Sequence, residues 1–326
     1  AFVSVRANGQ VLEPGPNAGT VGSLLAQRDG LVADTVDKLD RIASQLIFQV
    51  NKVHSTGYGS TGLTSLRSTR TMDSADLSRS LNDPQNTSLA GLPFAARNGG
   101  FSVTVTDAAT GAQTTRRIDI DLDGLTTTGA PGFGDDTSME DIAAQLDAVP
   151  NLDVSVNADG TLSIASAPGC SFSFSDDSSD ALAVLGVNTF FTGDDAGNIS
   201  VRAELSSNPG LLNAGALVAG SPSDNAAALA VTGLRDLSLE ALGGRSISQS
   251  WQDEVQSVGL RTDAAKTRFD ATTLVKQNIE AQKMAISGVN VDEEAINLLT
   301  YQRQYQGAAR FIAVVDELTQ TLMNLV

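Results

Sequence analysis

Apolar residues recur with a helical period along the last stretch of the chain. Leu298, Tyr301, Tyr305, Ala308, Ile312, Val315, Thr319, Leu322 and Val326 follow one another in alternating steps of three and four, and only Thr319 is polar. That is an a/d seam of about four heptads, the pattern of a helix that lies along another helix. Asn290 followed by Glu293 predicts a capping box at its start, and Asp292, Glu293 and Glu294 put negative charge on the positive end of the helix dipole. The seam is still running at Val326, so this helix calls for a partner inside the chain or outside it.

A second helical pattern covers residues 20–54, with Thr20 as N-cap. Val32, Val36, Leu39, Ala43, Leu46, Val50 and Val53 are all apolar at alternating four and three spacing, and Gly57 and Gly59 end the run. At about 1.5 Å per residue it makes a rod of roughly 50 Å, a length more typical of a bundle member than of a helix inside one core. Residues 247–286 predict a third long helix. Val255, Val258, Ala265 and Phe269 mark one stripe, which drifts to Leu274, Ala281 and Ala285, and a turn near Ser287–Asn290 separates it from the last helix.

Between the helices the period changes. In residues 94–200 apolar positions alternate at Phe101, Val103 and Val105, at Ile118, Ile120 and Leu122, at Val154 and Val156, at Leu162 and Ile164, and at Phe172 and Phe174. Turns fall at Asp107–Gly111 and Asn157–Gly160, and short helices are predicted over Ser138–Ala148 and near Asp180–Leu185. Residues 1–19 hold a short strand at Phe2, Val3 and Val5, a turn at Asn8-Gly9 and a return through Val11-Leu12. Residues 60–93 read as irregular connection with a short helix near Asp73–Leu81, and residues 201–246 as an Ala/Gly/Ser-rich return.

The layout predicts an α+β protein. Residues 20–59 and 247–286 form a long antiparallel helical stalk of coiled-coil character, a β-rich domain is inserted over 94–200, and a C-terminal helix fills 287–326. Stalk packing falls to Val32, Val36, Leu39, Ala43, Leu46, Val50, Val53, Val255, Val258 and Phe269.

Composition narrows the function classes. The 326 residues carry 21 Lys and Arg against 38 Asp and Glu, a formal net charge of −17. No basic footprint for nucleic acid exists, and an anionic membrane surface would repel the chain. No apolar run approaches a membrane span, and no secretory leader pattern opens the sequence. The single Cys170 excludes an intrachain disulfide and, beside Phe172 and Phe174 with no basic neighbour, reads as a buried thiol.

Catalytic chemistry finds little support. His54 is the only histidine, and it sits at a helix end with no motif around it, so a Ser-His-Asp or Cys-His triad has no other base to use. One His and one Cys leave a zinc site without its usual ligands. Asp119-Ile120-Asp121-Leu122-Asp123-Gly124 matches the opening of a calcium loop, but the twelfth position, which needs a bidentate carboxylate, is Ala130. The same residues alternate acidic and apolar, as a half-buried strand does. Asp135-Asp136, Asp176-Asp177 and Asp194-Asp195 read as turn residues, and Gly129–Gly134 lacks dinucleotide-loop spacing and contains Pro131. The sequence thus predicts no enzyme, no metal and no cofactor.

One stretch carries a resemblance. Ser287-Gly288-Val289-Asn290-Val291-Asp292-Glu293-Glu294, then Asn297-Leu298-Leu299, Tyr301–Gln306, Ala308-Ala309, Ile312, Asp316-Glu317-Leu318, Thr321-Leu322 and Asn324-Leu325, resembles the C-terminus of the bacterial flagellar axial proteins. The tail from Gln302 on is shared by rod, hook and hook-associated members. The segment before it, with Gly19–Leu25, Arg28-Asp29, Asn51, Val53-His54 and Gly57, resembles the hook-associated members at the hook–filament junction.

The resemblance implies a structural protein that self-assembles as copies of itself in a ring. The assembly contacts would fall on Leu298, Tyr301, Tyr305, Ala308, Ile312, Val315, Leu322 and Val326. Implied partners are the hook protein, the next hook-associated protein, and an export chaperone holding the C-terminal helix. Implied location is the extracellular flagellum, reached through the type III export apparatus without a cleaved signal. Members carry an N-terminal helical portion that is missing here, so the chain, which opens on Ala1, is expected to begin inside a longer protein. A hook or rod paralogue, and a secreted adhesin using the β-rich domain, are the alternative readings.

Overall fold

The computed structural model describes residues 6–7, 10–11, 19–60, 62–218, 221–288 and 290–324. It divides into two compact units, Ala1–Gln256 and Ser257–Val326. Helices and antiparallel sheets are both present, so the fold is mixed α+β.

The first unit opens with a two-stranded ladder, β1 (Arg6–Ala7) and β2 (Gln10–Val11). The strand expected at Phe2, Val3 and Val5, the turn at Asn8-Gly9, and Leu12 lie outside the described residues. Helix α1 (Gly19–Ala26) passes through a π-helical segment at Gln27–Val32 into α2 (Ala33–Ser55). The helix starts one residue before the expected N-cap. Gly19 takes a left-handed φ of 68°, which suits glycine, and Thr20 lies inside the first turn.

Next come β3 (Ser65–Arg67), α3 (Thr87–Ala90), β4 (Gly99–Asp107), β5 (Gln113–Ile120), α4 (Met139–Asp147), β6 (Leu152–Val156), β7 (Leu162–Ser166), β8 (Cys170–Ser175) and α5 (Ala181–Leu185). They build two three-stranded antiparallel sheets, ordered β5-β4-β8 and β3-β7-β6. Alternation explains the core. Phe101, Val103 and Val105 of β4, Ile118 and Ile120 of β5, and Phe172 and Phe174 of β8 all point inward, with Met139, Ile142 and Leu146 of α4 among the other fully buried side chains. Ser138 caps α4 in a reciprocal box with Asp141.

Two local expectations change. No helix spans Asp73–Leu81. Successive turns close there instead, with Asp76 N–H donating to the Asp73 carbonyl and Arg79 N–H to the Asp76 carbonyl. The buried Asp76 carboxylate accepts from the Thr87 hydroxyl and from both the N–H and hydroxyl of Ser88, which gives this backbone a tertiary frame in place of a helical one. Residues 60–93 also hold β3, an edge strand with Leu66 as its single inward residue, too short to leave a period.

The chain then runs through β9 (Phe191–Thr192), β10 (Ser200–Val201), α6 (Ala203–Ser207), a 3₁₀ turn at Pro209–Leu211, β11 (Ala216–Val218), β12 (Ser221–Ser223), α7 (Ala226–Gly233) and a 3₁₀ turn at Glu240–Leu242. Helix α8 (Ile247–Ser287) and helix α9 (Val291–Met323) follow.

Helix α2 joins the first unit through its C-terminal half, against α5, α7 and β9. Its buried face is Ser44, Gln45, Ile47, Phe48, Val50, Asn51, His54 and Ser55. Phe48 stacks on Phe94 at 4.8 Å, and Lys52 Nζ lies 2.8 Å from the buried Asp180 carboxylate. The Asn51 amide reads the backbone at both ends, donating to the Phe191 carbonyl (3.0 Å) and accepting from the N–H groups of Phe190 (3.0 Å) and Phe191 (2.8 Å). His54 is buried beside it. Its Nδ1 lies 2.8 Å from the Asn188 carbonyl, and its Nε2 accepts the Asn213 N–H at 3.2 Å. A carbonyl on one side and an N–H on the other require the neutral ring with the proton on Nδ1.

Burial first of all, opposed by the bond to Asn188 and aided by the charge of Arg202, pushes the His54 pKa down from 6.5 to about 4. Between those values only the unfolded chain takes up a proton. Stability at neutral pH is therefore lost as pH falls through that window, by about 3 kcal/mol in full. Thermal melts from pH 7.5 to 4 should show this decline, and His54→Gln should start lower at pH 7.5 and lose less on acidification. An equally steep decline in the variant would place the acid sensitivity elsewhere.

Candidate assembly interface

The residue pattern singled out at the C-terminus lies on α9. Asn290 is its N-cap, and the side chain accepts the Asp292 N–H at 3.1 Å. The other half of the expected box, a bond from Glu293 back to Asn290, is not among the described hydrogen bonds. Asp292, Glu293 and Glu294 fill the first turn as expected.

No residue of α9 is buried. Leu298, Tyr301, Tyr305, Ala308, Ile312, Val315 and Leu322 are all exposed, from 44% at Val315 to 78% at Tyr305. Val326 lies outside the described residues. The a/d reading missed part of this surface. Phe311, Val314 and Leu318 are also exposed, and with Val315 and Leu322 they widen the apolar stripe in the second half of the helix. Their own steps of three and four are in the sequence, one position off the seam.

The residues expected to pack a stalk are spread over different environments. Val50 is buried, Leu39, Ala43, Leu46 and Val53 are half-buried, and Val32 and Val36 are exposed. The side of α2 that is most deeply covered is the adjacent one, through Ile47 and Phe48. Val255, Val258 and Phe269 of α8 are exposed. Within the first unit, Lys38 Nζ of α2 meets the buried Glu254 carboxylate of α8 at 2.8 Å.

Residues weighed for catalysis are placed in structural roles. Both ring nitrogens of His54 are committed to backbone groups. Cys170 is a free, buried thiol at the start of β8. The three acidic pairs fall in separate loops, before α4, between β8 and α5, and between β9 and β10. Asp177 accepts from the N–H and hydroxyl of Ser179 and from the Leu182 N–H, while burial raises its pKa against those bonds. Among the described residues no helix is long and apolar enough to cross a membrane.

Comparison with known proteins bears on the same helix. Residues 280–325 match the family described as flagellar basal body rod FlgEFG protein C-terminal. The chain is similar to flagellar hook-associated protein 1 of Escherichia coli (strain K12), 21% identical over 95% of this chain and 50% of that protein. It is similar also to flagellar hook-associated protein 1 of Salmonella typhimurium, 30% identical over 26% of this chain and 15% of that protein, and of Salmonella typhi at the same values. The chain thus spans half or less of the length of these relatives. The similarities support a structural role in the bacterial flagellum.

An exposed seam contributes little to the folding of the chain that carries it. Ile312→Asp and Tyr305→Asp should each change folding stability by no more than about 0.5 kcal/mol in a urea titration of the isolated chain. A loss of more than about 1 kcal/mol would show that the seam is buried within the chain.

Proposed function

We propose that the chain is a structural component of the flagellum that joins hook to filament, assembling through its terminal helix into a ring of copies. The observation that carries this reading is α9, which has no buried residue and is exposed and apolar at Leu298, Tyr301, Tyr305, Ile312, Val315 and Leu322, in the stretch that matches a flagellar C-terminal family. An apolar stripe on a helix is removed from water by other helices. The additional exposure of Phe311, Val314 and Leu318 suits burial between more than one neighbour. Similarity to hook-associated protein 1 along 95% of the chain favours the junction over a rod or hook position, which the C-terminal match alone would equally allow.

On this reading the neighbours are the hook protein on one side and the next hook-associated protein on the other. A cytoplasmic chaperone covers α9 before export through the flagellar apparatus. The exposed stripes of α8, at Val255, Val258 and Phe269, and of α2, at Val32 and Val36, are covered as a helical stalk in the assembled ring. No reaction is assigned to the chain.

Electron microscopy of cells lacking the gene, with flagellin assayed in the medium, tests the proposal. Hooks of normal length without filaments, and flagellin lost to the medium, are expected. Ile312→Asp should give the same phenotype from a folded protein. Missing hooks would point to a hook or rod protein, and normal filaments would end the junction reading.

A further inference from the structure

The acidic run Asp119–Gly124 ends differently from a strand. β5 stops at Ile120, and Asp121, Leu122 and Asp123 begin a loop that returns beside the segment before α4. Two bonds pin that return. Asp121 N–H donates to the Thr137 hydroxyl at 2.8 Å, and Thr137 N–H donates to the Asp121 carbonyl at 2.7 Å. Asp136 is thereby carried to the loop, and Gly124, at a left-handed φ of 70°, donates its N–H to Asp136 Oδ2 at 3.1 Å. One carboxylate oxygen from each of Asp121, Asp123 and Asp136 lies within 4.8 Å of the others.

Three like charges at this separation repel, and the donors that face them, the Gly124 and Asn82 groups on Asp136 and the Leu125 N–H on Asp123, are neutral. Among the described residues no Lys or Arg forms an ion pair with any of the three, whereas Asp119 is taken by Arg117. Asp136 is 4% exposed. Its Oδ2 also accepts from the Asn82 amide at 2.6 Å, but its Oδ1 is buried with no hydrogen-bond partner. The Asn82 Oδ1 is a second buried acceptor without a partner, on the same hydrogen-bonded pair. A buried carboxylate oxygen without a hydrogen-bond partner, beside like charges, is a position a cation would satisfy.

We propose that Asp121, Asp123 and Asp136 bind one calcium ion. Oxygens on opposite sides of one calcium lie about 4.6–5.2 Å apart, given ligand distances of about 2.3–2.6 Å, so the observed spread fits a single ion. Magnesium demands near-octahedral geometry at about 2.0–2.1 Å and gives up its water reluctantly, which suits an all-carboxylate cluster less well than calcium. Asp121 and Asp123 are exposed, which leaves part of the coordination sphere to water. The loop criterion applied to the sequence looks to Ala130 for the closing carboxylate. The fold supplies Asp136 in its place, from beyond the loop.

Isothermal titration of the full chain with calcium chloride, at fixed ionic strength, tests this, alongside melts in calcium and in chelator. Saturation at one ion per chain and a higher melting temperature in calcium are expected. Asp136→Asn and the exposed Asp121→Asn should each weaken binding about tenfold or more, and Asp153→Asn, on the outer face of β6, should not. In chelator, Asp136→Asn should melt above the unsubstituted chain because one repelling charge is gone, and in calcium below it. Should Asp136→Asn fail to fold, Asp121→Asn carries the same test. No saturable heat, equal weakening by Asp153→Asn, or magnesium binding as tightly as calcium would overturn the proposal.

Discussion

The first unit depends on one seam, where the C-terminal half of α2 meets the chain around residues 188–191 and 213. Most of its hydrogen bonds run from side chains to backbone. Asn51 satisfies three backbone groups of Phe190 and Phe191, His54 takes the Asn188 carbonyl and the Asn213 N–H, and Asn188 returns a bond to the Ser55 carbonyl. Backbone groups buried without partners are costly, so these contacts fix where the segment after α5 must lie. Phe48 on Phe94 then brings apolar area to the same joint. Gly57 allows the chain to turn away at once, since a Cβ there would meet Asn213 Cβ at 2.8 Å and the Gly215 carbonyl at 2.9 Å.

Helix α9 follows the opposite logic. None of its 33 residues is buried, and their apolar positions line up in exposed stripes. Most helical stability in proteins comes from packing an amphipathic face. A helix that keeps its face exposed gains little of that stabilisation from its own packing. The two helices differ accordingly: α2 uses its buried face to hold the β-rich domain, and α9 keeps its own exposed.

The β-rich unit carries a different potential. Its acidic loop is framed by the bonds from Asp121 N–H to the Thr137 hydroxyl and from Gly124 N–H to the Asp136 carboxylate. Such a frame preorganises carboxylates that would otherwise move apart.

Much of this protein was written in its periodicities. Alternation at Phe101, Val103 and Val105 marks β4, the Ser138 and Asp141 pair marks the start of α4, and the three-four spacing from Leu298 marks the exposed stripe of α9. These signals are local, because each depends only on which way neighbouring side chains point along one element. Three features were decided by tertiary structure. The strand β3 exists because β7 offers Leu66 an inward place, the turns at Asp73–Leu81 because Ser88 and Thr87 come back to Asp76, and the acidic triad because Thr137 draws Asp136 to Asp121. Each joins residues held together by the rest of the fold, and no spacing along the chain encodes that approach.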